Sequence, residues 1–234
     1  MQFKLLNFKL LSLLQPMHSL TEENYLKALF ALSTSTGEVN VNDLSRQLNI
    51  KMPTVTSMMK KLAQKKLVYY ESYKPIRLTE RGKREAGTII RKHRLTEMFL
   101  VQVMGFGWEE VHEIAEQVEH IQAPELFEKM DQMLGFPAID PHGSPIPDKN
   151  GKMVWPTYTK LSNCRPGDVL RLNAVLDSSS QFLKYLNGRD LKLGMKLQVK
   201  SVESFDQSMV VSYGTRRAET LSHKVADMLL GEKD

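Results

Sequence analysis

The segment VNVNDLSRQLNIKMPTVTSMMKKLAQKKLVYYESYKPIRLTERGK, residues 39–83, decides the fold. Its first part predicts a short helix that Asn42 can cap, with Leu44 and Leu48 as apolar positions. NIKMP predicts a tight turn, with Pro53 at the first helical position, where a missing N–H removes no hydrogen bond. In the next helix Val55, Met58, Met59 and Leu62 recur at i, i+3, i+4 and i+7, the spacing of one buried face. The opposite side carries Thr54, Thr56, Ser57, Lys60, Lys61 and Gln64. Two short helices joined by a tight turn, the second polar on its outer face, describe a helix-turn-helix. The following residues read as two short strands around a turn bearing Lys74 and Arg77, the wing of a winged helix, after which Thr79 caps another helix. A basic amphipathic helix pair can also be plain scaffold, but the wing and the local charge favour a nucleic-acid partner.

Upstream, Ser19 and Glu22 fit a capping box, and Tyr25, Leu26, Leu29, Phe30 and Leu32 form an apolar stripe that ends over Thr34 to Gly37. The first sixteen residues, MQFKLLNFKLLSLLQP, are Leu-rich with no acid and lack a small-residue cleavage site. They read as a disordered or loosely docked extension, or as an over-long start with Met17 as the initiator. Downstream, a long helix is expected from Arg81 to about Gly105. Its apolar residues Leu95, Met98, Phe99, Leu100, Val101 and Val103 occupy most sides, which suits burial at a subunit interface. Further helices are expected from Trp108 to about Gln122 and from Pro124 to Leu134. A Pro/Gly-rich linker comes next, and then DVLRLNAV, MKLQVKSV and SMVVSY alternate as strands do. These predict a small C-terminal β-barrel ending in a helix near Ser222 to Leu230.

Charge divides the chain more sharply than its net +5 suggests. From Met17 to Leu100 there are 15 Lys and Arg against 8 Asp and Glu; from Val101 to Pro156 there are 3 against 10. The basic part suits a phosphate backbone, and the acidic part suits cations or a solvated surface. The 234 residues suit one to three domains. A single cysteine, Cys164, forbids an internal disulfide framework and points to a reducing, cytoplasmic setting. No apolar run approaches the length of a membrane span, so no membrane partner is expected.

The helix around residues 108–122 carries the chemistry. Val111, Ile114, Ala115, Val118 and Ile121 share one side, while His112, Glu116, Glu119 and His120 form a separate stripe. On the preceding helix His93 and Glu97 are an i, i+4 pair. Imidazole and carboxylate faces packed together repel without a cation between them, and such donors suit Mn(II), Fe(II), Co(II), Ni(II) or Zn(II). For Glu109, Glu110 and Glu113 a solvated acidic face is the better reading.

RKHRLTEMFL, VHEIAEQVEHI and PHGSPIP, in this order and spacing behind a winged helix, resemble the diphtheria toxin repressor and manganese transport regulator family. The likeness runs from about Met17 to the C-terminus. It implies a mainly α protein with small β parts: an N-terminal extension over 1–16, a winged helix-turn-helix DNA-binding domain over 17–86, a dimerisation and metal-binding domain with linker over 87–155, and an SH3-like (FeoA-like) domain over 156–234. It implies primary metal ligands Glu116, Glu119 and His120 joined by Asn24, and ancillary ligands His93, Glu97 and His112. Gln181 matches one ancillary residue from the SH3-like domain, whereas Ser178 stands where the other would be acidic. Lys27 replaces a carboxylate of manganese-type members. Glu116 stands where iron-type members have Cys, and a hard oxygen donor favours Mn(II) over softer metals. Cys164 does not match that thiolate and reads as a barrel residue.

The expected function is metal-dependent repression by a homodimer on double-stranded operator DNA, with Mn(II) as corepressor, Fe(II) as the alternative, metal-uptake genes as targets and no small organic substrate. Lys51, Pro53, Thr54, Thr56, Ser57, Lys60 and Lys61 are the candidate DNA contacts, with Lys74 and Arg77 on the wing. The lysines should meet phosphates, Thr56 and Ser57 base edges or thymine methyls, and Pro53 mainly fixes the helix start. Two other classes fit part of the sequence: a small metallohydrolase, which needs an open coordination position and a cleft, and a winged-helix sensor of organic ligands or oxidants.

Overall fold

A computed structural model describes residues 18–33 and 37–234. The N-terminal extension and most of the Thr34–Gly37 helix end lie outside the described residues. The chain divides into two compact units, meeting in sequence between Ala86 and Gly87.

The first unit holds α1 (Leu20–Leu32), α2 (Val41–Leu48), α3 (Met52–Gln64), β1 (Val68–Tyr69), β2 (Arg77–Leu78) and the start of α4 (Glu80–Gln102). The Ser19 capping box is present: Glu22 N–H donates to Ser19 Oγ (3.3 Å) and Ser19 N–H to Glu22 Oε2 (2.9 Å). At eight residues α2 is too short to be stable alone. Its Leu44 is fully buried, as are Leu26, Leu29, Val55, Met59, Leu62, Leu67 and Ile76 of the same unit, and burial of such apolar side chains supplies the missing stability. Two details differ from expectation. Helix α2 starts one residue before Asn42, and Asn40 is its N-cap, its side-chain amide turned to Asp43. Helix α3 starts at Met52 with Lys51 as N-cap, so Pro53 is its second residue, where an N–H is equally dispensable. Asn49, left-handed at φ 52°, ends α2 and makes the turn between the helices.

The wing is short: Val68 pairs with Leu78 and Tyr69 with Arg77, extended by a bridge between Val39 and Ile76. Thr79 caps α4 as expected, its Oγ1 accepting from Gly82 N–H at 3.0 Å. A Cβ on Gly82 would sit 2.0 Å from Leu67 O, so only glycine lets the helix start press against the wing base.

The second unit holds the rest of α4, α5 (His112–Val118), α6 (Pro124–Met133) and the C-terminal domain. Helix α5 is far shorter than the expected span from Trp108 to Gln122. Pro124 disfavours a helical Ala123, and residues before His112 form turns after Gly105 at φ +76°. The C-terminal domain comprises β3 (Thr159–Lys160), β4 (Val169–Val175), α7 (Ser180–Asn187), β5 (Lys196–Val202), β6 (Met209–Tyr213), β7 (Arg216–Leu221), α8 (His223–Met228) and β8 (Leu229–Lys233). Its strands form one antiparallel sheet in the order β3-β8-β4-β5-β6-β7, an SH3-like domain whose backbone pairing leaves β3 and β7 as edges. Leu170, Leu172, Leu197, Val199, Val211 and Leu229 point inward at the strand period of two, and Cys164 is buried among them.

Candidate metal centre

Helix α4 presents His93 and Glu97 one turn apart; α5 presents His112 and Glu116, and the turn after it Glu119 and His120. These side chains converge. His93 lies at the middle, with Nδ1 2.6 Å from Glu119 Oε2 and 3.9 Å from Glu116 Oε1, and Nε2 3.0 Å from Glu97 Oε1. His112 Nδ1 lies 3.4 Å from Glu97 Oε1 and its Nε2 3.7 Å from Glu116 Oε1. His120 Nε2 lies 3.5 Å from Glu119 Oε1. Glu119 and Glu97 are 0% and 2% exposed, a degree of burial that a solvated acidic face does not show.

Two residues not anticipated as ligands join from the PHGSPIP stretch and the aspartate before it. Asp140 and His142 are buried, and with Glu97 they bring ligand atoms within 4.8 Å of one another. His93, His112 and Glu116 make a second such group. The groupings thus differ from the division into primary and ancillary sets: Glu116 gathers with His93 and His112, while Glu97 faces Asp140 and His142. A signal existed in the D-x-H spacing, but the Pro/Gly-rich surroundings read as linker.

The turn at Asp140 is built by its own side chain. Oδ1 accepts from His142 N–H (2.8 Å) and Ser144 N–H (2.9 Å), and Gly143 takes φ +87°. Two arginines of α4 hold this turn and the residues just after it. Arg94 donates to Pro145 O and lies 3.3 Å from Asp140 Oδ2; Arg91 donates to Pro147 O at 2.6 Å and to Asp131 at 2.5 Å.

The electrostatics set buried carboxylates against imidazoles. Burial opposes ionisation of Glu97, yet hydrogen bonds from His112, His142 and His93 outweigh it and hold its carboxyl well below the usual carboxylate range. Burial likewise works against a charged His142, but Glu97 and Asp140 beside it push its pKa upward. Burial raises Asp140 against the opposing charge of Arg94. Both ring nitrogens of His93 face carboxylate oxygens, whereas a neutral imidazole has one N–H. An added proton, or a cation, is required to reconcile these groups. The donor set of imidazole nitrogen and carboxylate oxygen fits a divalent transition ion, which either group, His93, His112 and Glu116 or Glu97, Asp140 and His142, could hold.

Of the other expected ligands, Asn24 is exposed on α1 in the first unit, and Gln181 is exposed in the first turn of α7. The expected DNA contacts Lys51, Pro53, Thr54, Ser57, Lys60, Lys61, Lys74 and Arg77 are exposed and Thr56 is half-buried. Lys61 is engaged by Glu22 at 3.2 Å and Lys74 by Glu71 at 2.8 Å, while Arg77 lies over the Tyr69 ring.

Comparison with known proteins agrees with this layout. Residues 17–76 match the family model for the iron dependent repressor N-terminal DNA binding domain, residues 79–148 the iron dependent repressor metal binding and dimerisation domain, and residues 159–233 the FeoA domain. The iron-dependent repressor IdeR of Mycobacterium tuberculosis is 32% identical over 127 residues, 54% of this chain and 55% of that protein. The chain thus spans about half the length of the curated relatives it matches. Among solved structures, a manganese-dependent transcriptional repressor in complex with manganese is 30% identical with a TM-score of 0.83, covering 91% of this chain and 99% of that one. ScaR with bound zinc is 29% identical with a TM-score of 0.75, covering 91% and 99%.

Proposed function

Because the chain belongs to the diphtheria toxin repressor and manganese transport regulator family of metal-dependent repressors, we propose that it is a transcription repressor whose winged helix grips duplex DNA when divalent cations occupy the His/Glu cluster. One observation carries the reading: imidazoles and carboxylates converge from α4, α5, the turn after it and the Asp140 turn, with His93, Glu97, Glu119, Asp140 and His142 buried, so that positive charge is needed among the carboxylates. A bound cation supplies the positive charge that neutralises and cross-links these elements. It acts as corepressor by binding the DNA-competent arrangement better than the alternatives, which shifts the population toward it.

Mn(II) is the favoured ion and Fe(II) the second reading. The clustered donors are nitrogen and oxygen, and Glu116 supplies a hard oxygen where a thiolate would draw softer ions. Asn24 and Gln181 belong to the proposal as neutral oxygen donors. Exposed Val103, Met104, Met133 and Phe136 offer apolar surface for a two-fold homodimer, which paired operator half-sites require. DNA is met through the exposed face of α3 and the wing, and a cytoplasmic setting follows from that proposed role. No helix among the described residues is long and apolar enough to cross a membrane. The family is one of DNA-binding repressors, so the metallohydrolase is set aside. An oxidant sensor acting through Cys164 is disfavoured because burial raises its thiol pKa, leaving little thiolate to react.

The test is isothermal titration of the metal-free chain with Mn(II), Fe(II) and Zn(II), followed by binding to duplex DNA selected from a random library. Cation binding followed by cation-dependent DNA retention supports the proposal. DNA retention indifferent to every cation contradicts it.

A further inference from the structure

Resting on the reading of Glu97, Asp140 and His142 as a cation group, we infer that Trp108, anchored on the C-terminal domain by Asn187, is a positioning residue that sets how well this group binds its ion.

His142 cannot choose its orientation freely. Its Nε2 lies 2.8 Å from Trp108 O, and a carbonyl only accepts, so Nε2 carries the proton. Nδ1 is thereby left facing Glu97, 3.7 Å from Oε2. A ligating histidine whose other nitrogen is bound to a carbonyl has its tautomer and ring plane fixed, and loss of such a partner typically weakens metal binding about 10- to 100-fold. The Trp108 ring also stacks on the imidazole, with centroids 6.0 Å apart and planes at 24°.

Trp108 is itself held from the other side. Its indole Nε1–H donates to Asn187 Oδ1 at 2.7 Å, at the end of α7, and its ring packs against the core of the SH3-like domain. The His142 turn touches the same domain directly, because Val175 N–H of β4 donates to His142 O at 3.0 Å. Gly143 permits that approach, since a Cβ there would sit 2.1 Å from Asn173 O. A continuous set of contacts therefore runs from Asn187 through Trp108 and His142 to Glu97. Linkage makes it reciprocal: filling the group must steady the docking of β4 and α7, and loosening that docking must weaken the group.

The test uses the full-length chain, stripped of metal and titrated with Mn(II) by calorimetry. His142→Ala identifies which binding event belongs to this group. Asn187→Ala is expected to weaken the same event about tenfold and leave the other unchanged, while Asn187→Asp, which keeps an acceptor for the indole, binds as the original chain does. Asn187→Ala added to His142→Ala is expected to cost nothing further at that event. Mn(II) is expected to slow hydrogen exchange at the Val175 amide, and not in Asn187→Ala. Equal weakening of both events, or none in Asn187→Ala, overturns the positioning role while leaving the cation group standing. If His142→Ala itself leaves every Mn(II) event unchanged, the reading of the group falls, and the inference falls with it.

Discussion

His93 Nδ1 lies 2.6 Å from Glu119 Oε2, joining α4 to the turn after α5 by one buried contact. The carboxylate has no solvent to fall back on, being 0% exposed. Glu119→Gln keeps the shape and removes the charge. Mn(II) affinity is expected to fall about 10- to 100-fold, the cost usual for losing a ligand or its hydrogen-bonded support. Calorimetry on the stripped protein measures it, and unchanged affinity contradicts a role for the pair in the centre.

Ion preference turns on Glu116, which is half-exposed and gathers with His93 and His112. Glu116→Cys replaces a hard oxygen by a soft sulfur and is expected to raise affinity for Zn(II) relative to Mn(II). Competition between the two ions, read by mass spectrometry of the retained metal, checks it; an unchanged ratio removes the argument for manganese.

Lys60 and Lys61 are neighbours on α3 with different expected roles. Both are exposed, but Lys61 is held 3.2 Å from Glu22. Lys60→Ala is expected to lower the slope of log K against log salt, on non-specific duplex DNA, by about one unit. Lys61→Ala is expected to change the slope much less. Equal changes would mean that Glu22 releases Lys61 to the phosphates.

Much of the layout is legible in the sequence because it is periodic. The α3 face of Val55, Met59 and Leu62, the Ser19 capping box and the Thr79 cap all obey local rules that the packed unit keeps. The stripe of His112, Glu116, Glu119 and His120 was legible for the same reason, although α5 stops at Val118 and a turn carries its last two members. Helical spacing persists through that turn, so periodicity alone overestimates the helix. The residues that escaped have no period. Asp140 and His142 sit in a turn made by an Asp side chain and a left-handed glycine, and they reach Glu97 only through the fold. Helix α7 and strand β8 were also missed; each is short and held by the core of the SH3-like domain through Leu183, Leu186 and Leu229 rather than by strong local signals.

Glu22 ties α1 to α3 within the DNA-binding unit. Its carboxylate, 1% exposed, meets Lys65 at 2.7 Å as well as Lys61. Burial alone would raise its pKa, but the hydrogen bonds from Lys65, Ser19 N–H and Lys61 win and lower it to about 2 from 4.5. A depressed carboxylate stabilises fully above its unfolded pKa and loses that contribution as pH falls through the folded one. The unit is therefore expected to lose roughly 2–3 kcal/mol between about pH 4.5 and 2 on this account. Glu22→Gln is expected to be less stable at pH 7 and to lack most of that acid dependence. Urea unfolding of chelator-treated protein at both pH values measures it, and identical acid dependence in the two proteins contradicts the assignment.

The central claim is that cations in the His/Glu cluster govern the winged helix. DNA fragments selected with Mn(II) present can be bound to the immobilised protein, the ion removed by chelation, and the retained DNA and metal both counted. Release of the DNA as the metal leaves, and recapture when Mn(II) is restored, is the expected result. Full retention of the DNA by protein that mass spectrometry finds free of metal would contradict it.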